Sequence, residues 1–333
     1  SVGVAASPRD AAPAPVYIPP PMKTQLLGRS ALVSTRLSYG CWRLVSSMDP
    51  TTVTAEREAE GRRAVHAAFD AGYTLFDHAD IYCRGVCEKV FGDAVREISG
   101  WRGRCVVATK CGIILPGPGV RHRYDFSRDH IVRSCEGSLK RLGIETIDLY
   151  MLHRPDLLMD PAEVAGAFDH LRSLGKVREF GVSNFSPPFV TALQRALSFP
   201  LAVNQVEVHL AKLDPFYDGT LDQCLAERIT PMAWSPLGGG ALADGNRGEQ
   251  AATPRADVLA NLRSEIAAVA QQYGTTPAVI AVAWLLRHPS GMIPVIGTIK
   301  PERIKEMARA DEIELSRDDW YRLLVAARGA GLP

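Results

Sequence analysis

Eight times along this chain a short apolar run suited to a β-strand is followed by a longer segment, usually of helical period, and no other feature restricts the fold as much. The runs are residues 38–42, 74–77, 104–109, 147–152, 179–183, 201–206, 230–234 and 293–297. Repeated strand–helix units build a parallel sheet covered by helices, and eight units are the number that closes it into a (β/α)8 TIM barrel. With 333 residues, of which 46% are hydrophobic, the chain has the length and apolar content for one such barrel. We therefore expect a single α/β domain over residues 22–333, with a hairpin near residues 22–34 capping the barrel bottom.

Residues 1–21 are rich in Ala and Pro, lack the apolar h-region of a secretory signal, and read as a disordered extension. No apolar run approaches the roughly 18 to 20 residues of a membrane span. Lys and Arg total 38 against 37 Asp and Glu, so no whole-molecule field exists to gather nucleic acid or an anionic membrane. The seven cysteines are scattered and odd in number, which suits free thiols in a reducing, cytoplasmic setting.

Helix signals punctuate the segments between the runs. A stripe of Ile131, Cys135, Leu139 and Leu142 follows Asp129 and stops at Gly143. Thr276-Pro277 opens another helix that ends before Pro289, and residues 162–174 form a third that stops at Gly175. Residues 112–128 and 238–255 read as long irregular loops after strand C-termini, the face on which barrels of this kind place their sites.

Polar residues stand at the ends of otherwise apolar strands: Asp77, Lys110, His153, Ser183 with Asn184, and Gln205 with Glu207. Any one of them reads equally well as a helix cap or a surface ion pair. Their recurrence in consecutive βα units, all aimed at one barrel mouth, favours a shared site.

The segments FDHADIY (76–82), ATKCG (108–112), DLYMLHRPD (148–156), GVSNF (181–185), NQVE (204–207), AWSPLGGG (233–240) and PVIGTIKPERIKE (294–306) appear in the order found in the aldo-keto reductase superfamily, which the chain resembles over roughly residues 35–310. The resemblance implies a catalytic tetrad of Asp77, Tyr82, Lys110 and His153. In it Tyr82 gives a proton to a carbonyl oxygen, Lys110 lowers the tyrosine pKa, Asp77 keeps Lys110 charged, and neutral His153 orients the carbonyl. No G-x-G-x-x-G stands between a strand and a helix. The resemblance instead assigns the nicotinamide to Ser183, Asn184, Gln205 and the face of Trp234. Ser235, Leu237 and Gly238 fall to the pyrophosphate. Gly297, Thr298, Lys300, Arg303 and Glu306 fall to the adenosine end, where Lys300 and Arg303 favour NADPH/NADP+ over NADH. Two positions depart from the family pattern: Met307 follows Glu306 where Asn is usual, and His78 follows Asp77 where a small hydroxyl residue is usual.

Trp42, Tyr82 and Trp234 would line an aromatic, largely apolar pocket for a small-molecule aldehyde or ketone with hydrophobic groups. Arg121-His122-Arg123 on one long loop could attract an acidic substrate, but reads better as a solvated charged turn. Two other classes compete. A metal-dependent hydrolase would draw on Asp77, His78, Cys83, Cys87 and His153, yet it leaves Lys110, Asn184 and Gln205 without a role; we expect no metal. An NADP(H)-binding regulatory module with little turnover would keep the tetrad and differ only in rate. Natural substrate and oligomeric state are not written in these motifs.

Overall fold

The computed structural model describes residues 21–243 and 255–333. Strands β1 (Thr24–Leu26) and β2 (Val33–Thr35) form an antiparallel hairpin. They are followed by β3 (Ser38–Gly40), β4 (Leu75–Asp77), β5 (Val106–Cys111), the short antiparallel pair β6 (Ile113–Ile114) and β7 (Arg123–Tyr124), then β8 (Ile147–Leu152), β9 (Val177–Ser183), β10 (Val203–Glu207), β11 (Thr230–Trp234) and β12 (Ile293–Ile296). Eight of these, in the ring order β3-β4-β5-β8-β9-β10-β11-β12, close a fully parallel barrel. The expected (β/α)8 TIM barrel is the fold.

Helices cover its outside: α1 (Ala55–Asp70), α2 (Val86–Val95), α3 (Arg128–Leu142), α4 (Pro161–Ser173), α5 (Pro187–Ala196), α6 (Thr220–Glu227), α7 (Ala256–Gln272), α8 (Pro277–Leu286), α9 (Pro301–Ala308) and α10 (Arg317–Arg328). Their starts follow local chemistry. Ser127 caps α3 by accepting from the His130 amide, slightly earlier than Asp129 suggested, and Gly143 ends the helix at φ 67°, where a side chain would be strained. Asp160 caps α4 with Pro161 at its first position, and Thr276 precedes Pro277 of α8, whose residues from Val279 to Leu286 are all buried.

Alternation along the strands fills the interior in layers. Leu75, Val106, Leu149, Val203, Met232 and Ile293 point inward at the bottom, where Leu27 and Leu32 of the β1–β2 hairpin close the barrel. Ala108, Met151 and Val295 stand one step higher in the same cluster. Another two residues along the same strands come Lys110, His153 and Gly297, and two residues beyond Leu75, Val203 and Met232 come Asp77, Gln205 and Trp234. The site is thus the continuation of the core stripe at the barrel mouth. Gly181 of β9 is required by this packing: a Cβ there would meet Val203 Cγ2 at 2.5 Å and Met151 Cγ at 3.2 Å. Gly181→Ala is expected to destabilise by about 1–3 kcal/mol through overpacking, read from its urea unfolding midpoint.

Four strand readings shift by two residues at an end; β9 begins earlier, at Val177, and β10 later, at Val203. Cys41–Arg43 is a 3-10 turn rather than strand, and β5 runs on to Cys111, so Lys110 lies within a strand and not past its end. The loop expected at 112–128 contains the β6–β7 hairpin, which carries Arg121, His122 and Arg123 exposed to solvent. Residues 1–20, most of the extension expected to be disordered, and 244–254 of the second loop lie outside the described residues. All seven cysteines are buried and unpaired. Among the described residues no helix is long and apolar enough to cross a membrane.

Candidate active site

Lys110, with no exposed surface, is the centre of the polar layer. Its Nζ donates to both Asp77 oxygens at 2.8 Å, to the His78 carbonyl at 2.7 Å and to the Tyr82 hydroxyl at 3.2 Å. Burial pulls the Lys110 pKa down and Asp77 opposes that pull. From the opposite side of the barrel, four strands away in the ring of eight, Gln205 Nε2 donates to Asp77 Oδ1 at 3.0 Å. The Asp77 carboxylate therefore joins β4, β5 and β10 through one group.

Desolvation raises the Tyr82 phenol well above the usual tyrosine range, Asp77 adds to the rise, and Arg154 opposes it. The expectation of a tyrosine pKa lowered by Lys110 is corrected here: burial is the largest influence on the phenol, and it and Asp77 both push the value up. His153 sits edge-on to Tyr82, ring centroids 5.9 Å apart. Burial, then Lys110 and Arg154, hold its pKa well below the usual histidine value, so the imidazole is neutral.

Beside the tetrad, Asn184 ends β9 in the left-handed region, φ 61°, a conformation Asn tolerates better than most residues. The turn lets its Nδ2 donate to the His153 carbonyl at 3.2 Å and to Ser183 Oγ at 2.8 Å, while its Oδ1 accepts from Trp234 Nε1 at 3.0 Å. Ser183 Oγ donates to the Gln205 carbonyl at 2.9 Å. The indole of Trp234 is fixed in orientation by this chain, with the Arg154 guanidinium 5.4 Å from its centroid.

A cavity of about 790 Å³ runs from this layer across the barrel mouth to α9. Its wall includes Asp77, Tyr82, His153, Ser183, Asn184, Gln205, Trp42, Trp234, Ser235, Leu237, Gly297, Thr298, Lys300, Arg303 and Glu306, so nearly every residue singled out from sequence meets in one place. Lys110, Gly238 and Glu207 do not reach the wall. Lys110 lies behind Tyr82, and Gly238 is buried at φ 56° with its Cβ position against His209, leaving Gly239 and Gly240 to face the cavity. Met307, where the sequence departs from the family pattern, is part of the wall. The pocket is less apolar than expected, because Arg43, Ser46 and Arg154 join Trp42, Met48, Ile81 and Ile113. Sequence reasoning passed over Arg154, although it directly follows His153 and so had to emerge at the same strand end.

His78 is turned away from the cavity. It is fully buried, lies edge-on to Phe91 at 4.5 Å, and neither ring nitrogen has a partner. Burial, with Lys110, pushes its pKa down to about 3. The folded ring stays neutral while the unfolded one takes a proton below about 6.5, so its contribution to stability is lost as pH falls from that value towards 3. His78→Phe removes both orphaned nitrogens and that proton uptake. We expect it to raise stability, and by about 2 kcal/mol more at pH 5 than at pH 8, in urea unfolding.

Chemically, the mouth offers a neutral phenol backed by a buried ammonium, a neutral imidazole, and a flat indole beside amide and hydroxyl groups. A planar ring carrying a carboxamide fits that set, and an anion fits the far end, where the α9 N-terminus follows Thr298 and Lys300. A family model, Aldo/keto reductase family, matches residues 36–325. The chain belongs to the aldo/keto reductase family. Relatives in this family include the 6-dehydroglucose reductase of Novosphingobium aromaticivorans, 39% identical over 322 residues that cover 95% of this chain and 99% of the relative. Oxidoreductase YdhF of Escherichia coli strain K12 is 42% identical over 304 residues, covering 90% of this chain and 95% of that protein. Among solved structures, the thermostable aldo-keto reductase Tm1743 in complex with the inhibitor epalrestat superposes with a TM-score of 0.77 at 26% identity, over 92% of this chain and all of that one. An aldo/keto reductase is an oxidoreductase acting on small molecules, generally with a nicotinamide cofactor. Among the described residues no group of three or more His, Cys, Asp and Glu side chains is gathered to hold a metal ion.

Proposed function

We propose that this aldo/keto reductase reduces aldehydes or ketones to alcohols with NADPH, with Tyr82 as the proton donor and residues 22–333 as the catalytic unit. One observation carries the reading: Tyr82 lines the cavity while its hydroxyl accepts a hydrogen bond from a Lys110 that is itself held by Asp77. When bound, reduced nicotinamide supplies a hydride to the carbonyl carbon.

The protein's own groups handle the rest. As charge develops on the carbonyl oxygen, the Tyr82 phenol gives up its proton, and the resulting phenolate faces the Lys110 ammonium. Asp77 keeps that ammonium charged in a dry site, and Gln205 fixes Asp77. Neutral His153, which lies beside Tyr82, donates to the same carbonyl oxygen and orients it without adding a charge. Ser183 and Asn184, with Gln205, offer polar groups to a carboxamide, and Trp234 offers a stacking face. Lys300, Thr298 and Arg303 at the start of α9 suit a 2′-phosphate, which favours NADPH over NADH. Seven unpaired, buried cysteines suit a cytoplasmic site of action.

The test follows oxidation of the reduced nicotinamide by its loss of near-ultraviolet absorbance, against a panel of aliphatic, aromatic and sugar aldehydes and ketones, with NADPH and NADH side by side. Turnover with NADPH, at least about tenfold above NADH in kcat/KM, is the expected result. Tight NADPH binding with no carbonyl reduced would sink the enzymatic reading and favour a cofactor-binding regulatory role.

A further inference from the structure

We propose that the substrate carries an anionic group, a carboxylate or a phosphate, and that the Arg154 guanidinium receives it, with Arg43 as a second cation on the same cavity wall. This rests on the carbonyl-reduction reading and deepens it. Arg154 belongs to the reacting end of the cavity: it follows His153 directly, and its charge acts on both His153 and Tyr82. Its guanidinium lies over Trp234, 5.4 Å from the ring centroid, and that of Arg43 lies over Trp42 at the same distance, 5.4 Å.

Among the described residues no carboxylate stands within ion-pair distance of the half-buried Arg154 or the exposed Arg43, whereas three other half-buried arginines are paired: Arg36 with Asp311, Arg102 with Asp148 and Arg141 with Glu88. Among the described residues the acids on the cavity wall are Asp77 and Glu306. Asp77 is taken by Lys110 and Gln205, and Glu306 lies on α9 with Lys300 and Arg303 near, at the other end. Among the described residues the reacting end is therefore a basic wall, with Arg154 half-buried and Arg43 exposed.

A guanidinium stacked on an indole keeps its in-plane N–H groups available, and their fork matches the two oxygens of a carboxylate or phosphate. Stacking also removes part of the side-chain freedom that binding would otherwise have to freeze. One indole face remains for the planar ring assigned to Trp234. A substrate with its carbonyl at Tyr82 and an anionic group a few bonds away would meet both demands at once. A neutral isostere would meet only the first.

The experiment compares matched pairs: 4-oxobutanoate with butanal, and glyceraldehyde 3-phosphate with glyceraldehyde. The readout is the charged-to-neutral ratio of kcat/KM with NADPH, for wild type, Arg154→Met and Arg154→Gln, each checked for folding by circular dichroism. Wild type is expected to favour the charged member of at least one pair by about 10- to 100-fold, the effect of one good charge-assisted contact. The pair that shows it says whether carboxylate or phosphate is the natural group. In both variants the ratio should collapse to within about threefold.

A wild-type ratio near one in both pairs, or a preference that survives both substitutions, overturns the proposal. If no aldehyde is reduced, the carbonyl-reduction reading has failed separately, and the anion site is decided by binding. Succinate and inorganic phosphate are then titrated onto the NADPH-loaded protein while tryptophan fluorescence is followed. A saturable change that Arg154→Met abolishes supports the site. No saturable change in wild type overturns it.

Discussion

Tyr82→Phe is expected to lower kcat/KM for NADPH-dependent carbonyl reduction by about 10²- to 10⁴-fold, the range for removing a positioned general acid. Cofactor affinity should stay within about threefold, because the ring and its packing remain and only the hydroxyl is lost. Lys110 keeps Asp77 and the His78 carbonyl as acceptors, so the fold is expected to survive. The fall should appear in kcat as well as in kcat/KM, since the missing interaction forms at the transition state. Equal losses of turnover and NADPH binding would assign Tyr82 to cofactor positioning instead.

The pH profile adds a second reading of the same residue. Tyr82 is held well above its ordinary value of 10.0 and His153 well below 6.5, so the phenol stays protonated and the imidazole neutral between those limits. Wild-type reduction should therefore be flat from about pH 6.5 to pH 10 as far as these two groups are concerned. An activity limb near pH 7 to 8 that disappears in Tyr82→Phe would show a tyrosine pKa lowered rather than raised.

Asp77→Ala is expected to cost about 3–5 kcal/mol of stability, because it strands a buried ammonium. Lys110 has no exposed surface and would retain only the His78 carbonyl at 2.7 Å and the Tyr82 hydroxyl at 3.2 Å, neither of which carries charge. Burial already depresses the Lys110 pKa, and Asp77 is the main influence raising it. Without Asp77 the folded state sheds its proton at lower pH than the unfolded chain does. Stability of the variant should therefore rise, relative to wild type, as pH increases from the variant's folded value towards the wild type's own depressed one. Urea unfolding at pH 7 and pH 9.5 checks the sign. Adding Lys110→Met to Asp77→Ala should restore much of the loss, since an apolar replacement of the whole pair leaves no stranded charge. A single-variant loss under about 1 kcal/mol would mean that water reaches Nζ.

Much of this arrangement is written locally. Strands such as Val106–Cys111 and Ile147–Leu152 carry their inward stripe at every second residue, and the change from apolar to polar at Lys110 and His153 is visible in the same alternation. The Ser127 and Asp160 caps and Gly143 are equally local. Other features are not. Gln205 and Asp77 are 128 residues apart, on strands facing each other across the ring, and only closure of the barrel brings Nε2 within 3.0 Å of Oδ1. The stacking of Arg154 on Trp234 depends on how Asn184 fixes the indole.

The sequence by itself determined the eight-unit barrel, the family and the ring of polar strand ends, because periodicity, caps and turns are properties of neighbouring residues. Tertiary structure alone decided which way His78 faces, which groups Asp77 joins, and the protonation of Tyr82 and His153. Those depend on desolvation and on distances across the barrel, quantities that exist only once the strands have closed around a common interior.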